Sequence, residues 1–239
     1  MIAADMGDPA LDNPIYESLS SHHRGFALGN AAAGVLRYPA EIAPFVGVAS
    51  AGMQASAGLE ELVAPGESAY LVGVAPAQPE GWRLQDLGEL AQMACTQFMQ
   101  EIDGPELLPL DATHQADVLA LTALVYPHYF RPRTVELGRY FGIYQDGRLA
   151  AIIGERMATA RATEISAVCT HPDFNGRGYA RRLLAWLSND LMRKGRMPFL
   201  HVSHQNPRAR DLYARCGYQH RRDIPFFSLQ RLEGGIRCP

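Results

Sequence analysis

The run His171–Leu184, HPDFNGRGYARRLL, sets two glycines around an arginine where a strand-like stretch gives way to a helical one. Glycine weakens both kinds of element, so a turn that spends two of them needs bare backbone. A helix start leaves its first N–H groups without partners and carries partial positive charge. Glycines let such groups curl around a phosphate. Arg177, Arg181 and Arg182 add full charges nearby. The turn therefore reads as a site for a phosphate-bearing ligand, with a plain structural turn as the alternative.

Two familiar phosphate loops do not fit. A P-loop needs Lys and Ser/Thr after its second glycine, and here Tyr179-Ala180 follow. The dinucleotide fingerprint needs a third glycine where Arg181 stands.

The flanks supply a fold class. After the turn, Ala180, Leu183, Leu184, Leu187 and Leu191 recur at helical spacing, and PFLHVS follows as a buried-type strand. Before it, YFGIY and LAAIIGERM surround Asp146-Gly147 as a hairpin, and TEISAVCTHP is a third strand. NPRARDLYARCG offers Asn206 as N-cap, Pro207 at the first helical position and Gly217 as C-cap; IPFFSLQ is a last strand. Antiparallel strands followed by a strand–helix–strand crossover predict a mixed α/β sheet. ATHQADVLALTALVYP reads as a helix ahead of this set.

The first half is harder to read. A helix is expected over 15–28, strands at GVLRYP, APFVGVAS and SAYLVGVAP, and an amphipathic helix at LGELAQMACTQFM. EIDGPELLPL reads as a boundary near residue 105. Charge divides at the same place. Residues 1–107 hold three basic and fourteen acidic residues, a net of −11, whereas 108–239 hold nineteen and eleven, a net of +8. Two units, 1–107 and 108–239, are expected, with the second receiving an anionic ligand; two differently charged solvated surfaces are the alternative.

The 47% apolar and 20% charged composition is ordinary for a globular chain. No apolar run is long enough to predict a membrane span, and the N-terminus lacks the pattern of a secretory leader. Cys95, Cys169, Cys216 and Cys238 form no zinc spacing, so reduced thiols in a cytoplasm and no metal site are expected.

With its flanks, EISAVCTHPDFNGRGYARRLL resembles motif A of the GNAT superfamily of acyl-CoA-dependent N-acyltransferases, falling on Asn175, Gly176, Arg177, Gly178, Tyr179 and Ala180. NPRARDLYARCGYQ resembles motif B, falling on Asn206, Ala209, Leu212, Tyr213, Gly217 and Tyr218. The phrasing TEISAVCTHPDF-x-GRGYA is similar to the glycine N-acyltransferase branch. The resemblance covers about 110–230 and implies a mostly antiparallel sheet flanked by helices. For residues 1–107 it implies a degenerate second copy of that fold. Asn175 departs from the family's Arg or Gln and brings no charge, which implies weaker cofactor affinity with Arg177 compensating.

The resemblance also implies the reaction, attack of an amine on the acetyl-CoA thioester with acetyl-CoA as co-substrate. An alkyl amine is only about 0.1% neutral at pH 7, so a base is needed. Glu164 stands where several family members have theirs; the alternative is a strand-end carboxylate paired with Arg156 or Arg161. Charge on the thioester oxygen calls for an N–H donor, implied at a bulge near Val168 or Cys169, with Val168–Thr170 pairing the pantetheine arm. Tyr213 is implied as general acid toward the CoA sulfur, against a half-buried aromatic. A nucleophilic Cys169 has no base at motif spacing and reads as a small buried residue.

For the acceptor, YPHYFRPRTVELGRY offers His128, Arg131 and Arg133, and arginine suits a carboxylate; a basic loop facing the acidic half is the alternative. No aromatic-basic motif points to nucleic acid. A small amine or amino acid leads as acceptor, with a protein N-terminus or lysine as runner-up. The rival of another class is a non-catalytic acyl-CoA-binding module.

Overall fold

The computed structural model describes residues 6–233. Short elements open the chain: α1 (Pro14–Ser20), then β1 (Leu28–Asn30), β2 (Val35–Arg37) and β3 (Val46–Val48), which form a small antiparallel sheet. α2 (Ser56–Leu62), β4 (Ser68–Val72), β5 (Trp82–Ala94) and β6 (Leu108–Leu110) follow. The remainder runs α3 (Gln115–Val125), β7 (Tyr140–Gln145), β8 (Arg148–Ala158), β9 (Ala162–Thr170), α4 (Tyr179–Arg193), β10 (Met197–Ser203), α5 (Pro207–Arg215) and β11 (Gln219–Arg231). Eight strands make one sheet in the order β4-β11-β5-β10-β9-β8-β7-β6. Every pairing is antiparallel except β9 with β10, which the α4 crossover joins in parallel. Among the described residues no helix is long and apolar enough to cross a membrane.

The mixed α/β sheet and its mostly antiparallel order follow the expectation, as do the hairpin at Asp146-Gly147 and the helix after the glycine turn. Leu183, Leu184, Leu187 and Leu191 of α4 are sealed against the sheet together with Ile143, Ala151 and Ile153. Each such leucine contributes roughly 1.5–3 kcal/mol by leaving water.

Two expectations in the first half are corrected. The helix expected over 15–28 ends at Ser20, because His23 N–H turns back to Ser18 O at 2.8 Å and a short 3-10 turn follows. In place of the helix expected at LGELAQMACTQFM, Leu87–Ala94 belong to β5 and the rest follows as irregular chain. That strand lies between β10 and β11, paired on both edges, and Ala91, Gln92, Met93 and Ala94 are all buried. A strand covered on both faces loses its two-residue alternation and imitates a helical run. Strands from both sides of residue 107 thus share the sheet.

The opposite charges of the two halves meet in defined contacts. Arg221 and Arg222 both pair with Asp12, and Arg133 pairs with Glu41. Arg182, expected near the ligand turn, instead donates to Pro105 O at 2.9 Å and to Ile102 O, holding the connecting segment.

Candidate active site

β9 and β10 pair over three positions only, Ala162↔Met197, Thr163↔Pro198 and Glu164↔Phe199, and then part. The far edge of β10 stays zipped to β5 through Ser203, so it is the β9-facing edge that is left without a ladder. On β9 the pairs Cys169↔Ile152 and Ser166↔Gly154 enclose one extra residue: Ala167 and Val168 face the single Ile153. Ala167 takes φ 51°, a left-handed conformation that an alanine adopts only under constraint. This bulge adds an unpaired residue to the strand. A cavity of 730 Å³ opens beside it, walled by Ile165–Cys169 of β9 and His201–Ser203 of β10.

The glycine turn follows from the end of β9. Gly176 and Gly178 both have φ 79°, and a Cβ on either would meet no atom within 4 Å. The turn is therefore open on its outer side as well as left-handed. Gly178 is the N-cap of α4 and supplies no side-chain cap. The first N–H groups of a fifteen-residue helix are left to whatever binds there. Arg177 stands 5.1 Å from the Phe174 ring centre, beside the turn. Tyr179 turns inward: its ring is buried and its hydroxyl donates to Gln145 at 3.2 Å, so only its backbone faces the turn.

Glu164 is fully occupied. Arg156 Nε and Nη2 reach Oε2 and Oε1 at 2.8 and 2.7 Å, and His201 Nδ1 lies 2.8 Å from Oε1. The glutamate is 1% exposed. Burial alone would raise its pKa, but the Arg156 charge and hydrogen bonds, with His201, outweigh burial and hold it at about 2. A carboxylate so satisfied takes up a proton poorly near neutral pH. Where a general base was expected, Glu164 is partnered on both oxygens, and the Arg156 pairing given as the alternative is present, buried rather than at an exposed strand end.

The network continues inward. Gln92 Nε2 is 2.9 Å from His201 Nε2, and Gln92 Oε1 accepts from Arg221 Nη1 at 2.8 Å. Arg221 is the extra residue of a bulge in β11 opposite β5, between His220↔Met93 and Arg222↔Gln92. The chain Arg156–Glu164–His201–Gln92–Arg221–Asp12 therefore links the cavity to the N-terminal segment.

Tyr213 of α5 lines the cavity, and burial pushes its phenol upward. It keeps its proton until a stronger base arrives. Cys169 is buried and its thiol is pushed up to about 12 by burial, which leaves it protonated and a poor nucleophile. Asn206 caps α5 by accepting from Ala209 N at 3.1 Å and borders the same cavity. Asn175 is exposed at the turn. Cys95 and Cys216 are free and buried, and Cys238 lies outside the described residues.

The charged groups of the basic loop stand apart from the cavity. Arg133 is committed to Glu136 and Glu41, and Arg131 reaches back to His128 O. Neither arginine nor His128 borders the cavity, whereas Tyr126 and Tyr129 do.

Comparisons place this arrangement. A family model described as FR47-like protein matches residues 140–226. A GNAT-family structure from Novosphingobium aromaticivorans DSM 12444 is 30% identical over 94% of this chain and 99% of its own, with a TM-score of 0.85. This chain belongs to the GNAT family of acetyltransferases. A GCN5-related N-acetyltransferase from Kribbella flavida shares the GNAT fold at 15% identity, covering 93% of this chain and 97% of its own with a TM-score of 0.63. No curated protein matches. The family implies acyl transfer from acetyl-CoA.

Several cavity residues of this GNAT protein escape a reading of motifs. His201 is a polar position in the strand run PFLHVS, and that interruption of an apolar run is its one signal. Phe45, Leu87, Glu89 and Leu90 line the cavity from the first half, where no motif marks them.

Proposed function

We propose that this chain transfers the acetyl group of acetyl-CoA to the primary amine of a small molecule by direct attack. The observation that carries the reading is the splayed β9–β10 cleft, with a bulge at Ala167 and Tyr213 on its wall, leading from the open glycine turn. The co-substrate would be held at its phosphates by the turn around Gly176–Ala180 with Arg177 and Asn175. Its pantetheine arm would add to the free edge of β9 at Val168–Thr170, as a strand would. Bound there, acetyl-CoA supplies an activated acyl carbon and a thiolate leaving group.

The protein's own groups do the rest. An N–H freed by the Ala167–Val168 bulge donates to the carbonyl oxygen as negative charge gathers there. Tyr213 delivers its hydroxyl proton to the departing sulfur, and burial keeps that proton in place until the thiolate forms. Glu164 is a positioning residue that fixes Arg156 and the His201 ring at the cavity wall. The glycine N-acyltransferase-like phrasing suggests an amino-acid acceptor. Against that detail, Arg156 is the lone arginine on the cavity wall and Glu164 already neutralises it.

The test is a transfer assay on the full chain, in which thiol release is matched to acetylated amine identified by mass. Equal yields of both products, abolished by Tyr213→Phe with acetyl-CoA binding kept, support catalysis. Binding of acetyl-CoA with no transfer to any amine, peptide N-terminus or lysine would contradict it and leave a binding module.

A further inference from the structure

The geometry points to an acceptor subsite where the N-terminal half borders the cavity, built for an ammonium group on an apolar or aromatic body, with Glu89 receiving the ammonium. The inference rests on the acetyl-transfer reading above and adds the acceptor class and its receptor.

Glu89 is the one carboxylate among the residues bordering the 730 Å³ cavity. No hydrogen bond or ion pair to its side chain occurs among the described residues. Its placement is built. Between the pairs Glu89↔Pro225 and Asp86↔Phe227, two residues of β5, Leu87 and Gly88, face the single Phe226. Gly88 takes φ 88°, where a side chain is strained, and its N–H is held by Asp86 Oδ1 at 2.8 Å. The bulge thus sets a free carboxylate and a bare backbone at the cavity edge, on the stretch of β5 paired with β11 alone.

The wall beside it is aromatic. Tyr129 stacks on Phe45 at 6.2 Å and meets Phe226 edge-on at 5.8 Å, and Tyr70 braces both Tyr129 and Phe226 from behind. Val72 and Leu90 complete this side. Such a surface takes hydrocarbon or a ring, and the free carboxylate takes a cation. An acceptor carboxylate, by contrast, finds only Arg156, which Glu164 has already neutralised. Glu89 then also takes up the first ammonium proton, directly or through one water, before passing it to solvent. The C–N bond forms as the C–S bond breaks. Tyr213 protonates the thiolate, and the second nitrogen proton restores Tyr213.

The probes are 2-phenylethylamine, hexylamine and glycine, with acetyl-CoA, on the full chain and on Glu89→Gln. Glu89 is exposed, so the variant should keep the melting temperature of the parent. The inference expects kcat/KM for the two apolar amines well above that for glycine. It expects a loss of about tenfold to a hundredfold in Glu89→Gln, with acetyl-CoA affinity unchanged. Phe226→Ala should raise KM for 2-phenylethylamine more than it lowers kcat. Preference for glycine, unchanged kcat/KM in Glu89→Gln, or no turnover of either apolar amine while acetyl-CoA binds, overturns it. Failure to bind acetyl-CoA at all overturns instead the reading on which it rests.

Discussion

His201 and Glu164 are joined Nδ1 to Oε1 at 2.8 Å, Glu164 standing at the last position where β9 and β10 still pair. One residue beyond, the strands part. The same carboxylate receives Arg156 through both oxygens, so a buried charge pair and a hydrogen-bonded imidazole sit at the apex of the cleft.

Breaking that apex has an asymmetric cost. Removing one partner leaves a buried charge unpaired, so Glu164→Gln should lose about 3–5 kcal/mol of unfolding free energy. Replacing both residues, as Glu164→Gln with Arg156→Met, should recover a large part of that loss. Urea unfolding of the two singles and the double measures the coupling. Additive losses would show that the pair is not a unit.

Acid should act on this pair late. The folded pKa of Glu164 lies at about 2 against an ordinary 4.5, so folding favours its ionised form. Its contribution is complete above pH 4.5 and is lost as pH falls toward 2. Melting curves of parent and Glu164→Gln should run parallel above pH 5 and converge below 4.

His23 titrates in an earlier window. It is 4% exposed, with Nδ1 2.9 Å from the Tyr38 hydroxyl, and burial, then the neighbouring His22, lowers its pKa from 6.5 to about 4. The unfolded chain binds the proton first, so stability falls between pH 6.5 and 4, by roughly 1.4 kcal/mol per unit at most. In His23→Gln that part of the slope should vanish, whatever the absolute stability. An unchanged slope of unfolding free energy against pH would refute the assignment.

Gly178 tests the phosphate turn. Alanine there meets no atom within 4 Å but must hold φ 79°. The strain costs about 1–2 kcal/mol, and the added methyl stands on the open side of the turn. Gly178→Ala should weaken acetyl-CoA binding at least tenfold while the melting curve stays cooperative. Equal affinity would place the phosphates elsewhere.

Much of the second half was legible because its elements announce themselves through turns and periodicity. Asp146-Gly147, the two glycines of the turn and the Asn206–Pro207 helix start each force a local geometry that survives in the fold. The bulge near Val168 was implied by family resemblance, and it stands at Ala167–Val168. What could not be read was long-range. β5 is buried over Ala91–Ala94, which erased the alternation there, and only its insertion between β10 and β11 makes that stretch a strand. Glu164 looked like a base because its neighbours in sequence do not show His201, thirty-seven residues away, joining Arg156 on Oε1. Glu89 was invisible for the same reason, since its meaning comes from a cavity whose other walls lie mostly beyond residue 120.

Calorimetric titration of the full chain with acetyl-CoA, against CoA lacking its 3′-phosphate as comparison, reads the glycine turn itself. One site per chain with micromolar affinity is expected, weakened in Gly178→Ala and unchanged in Glu89→Gln. No heat of binding at millimolar acetyl-CoA would contradict it.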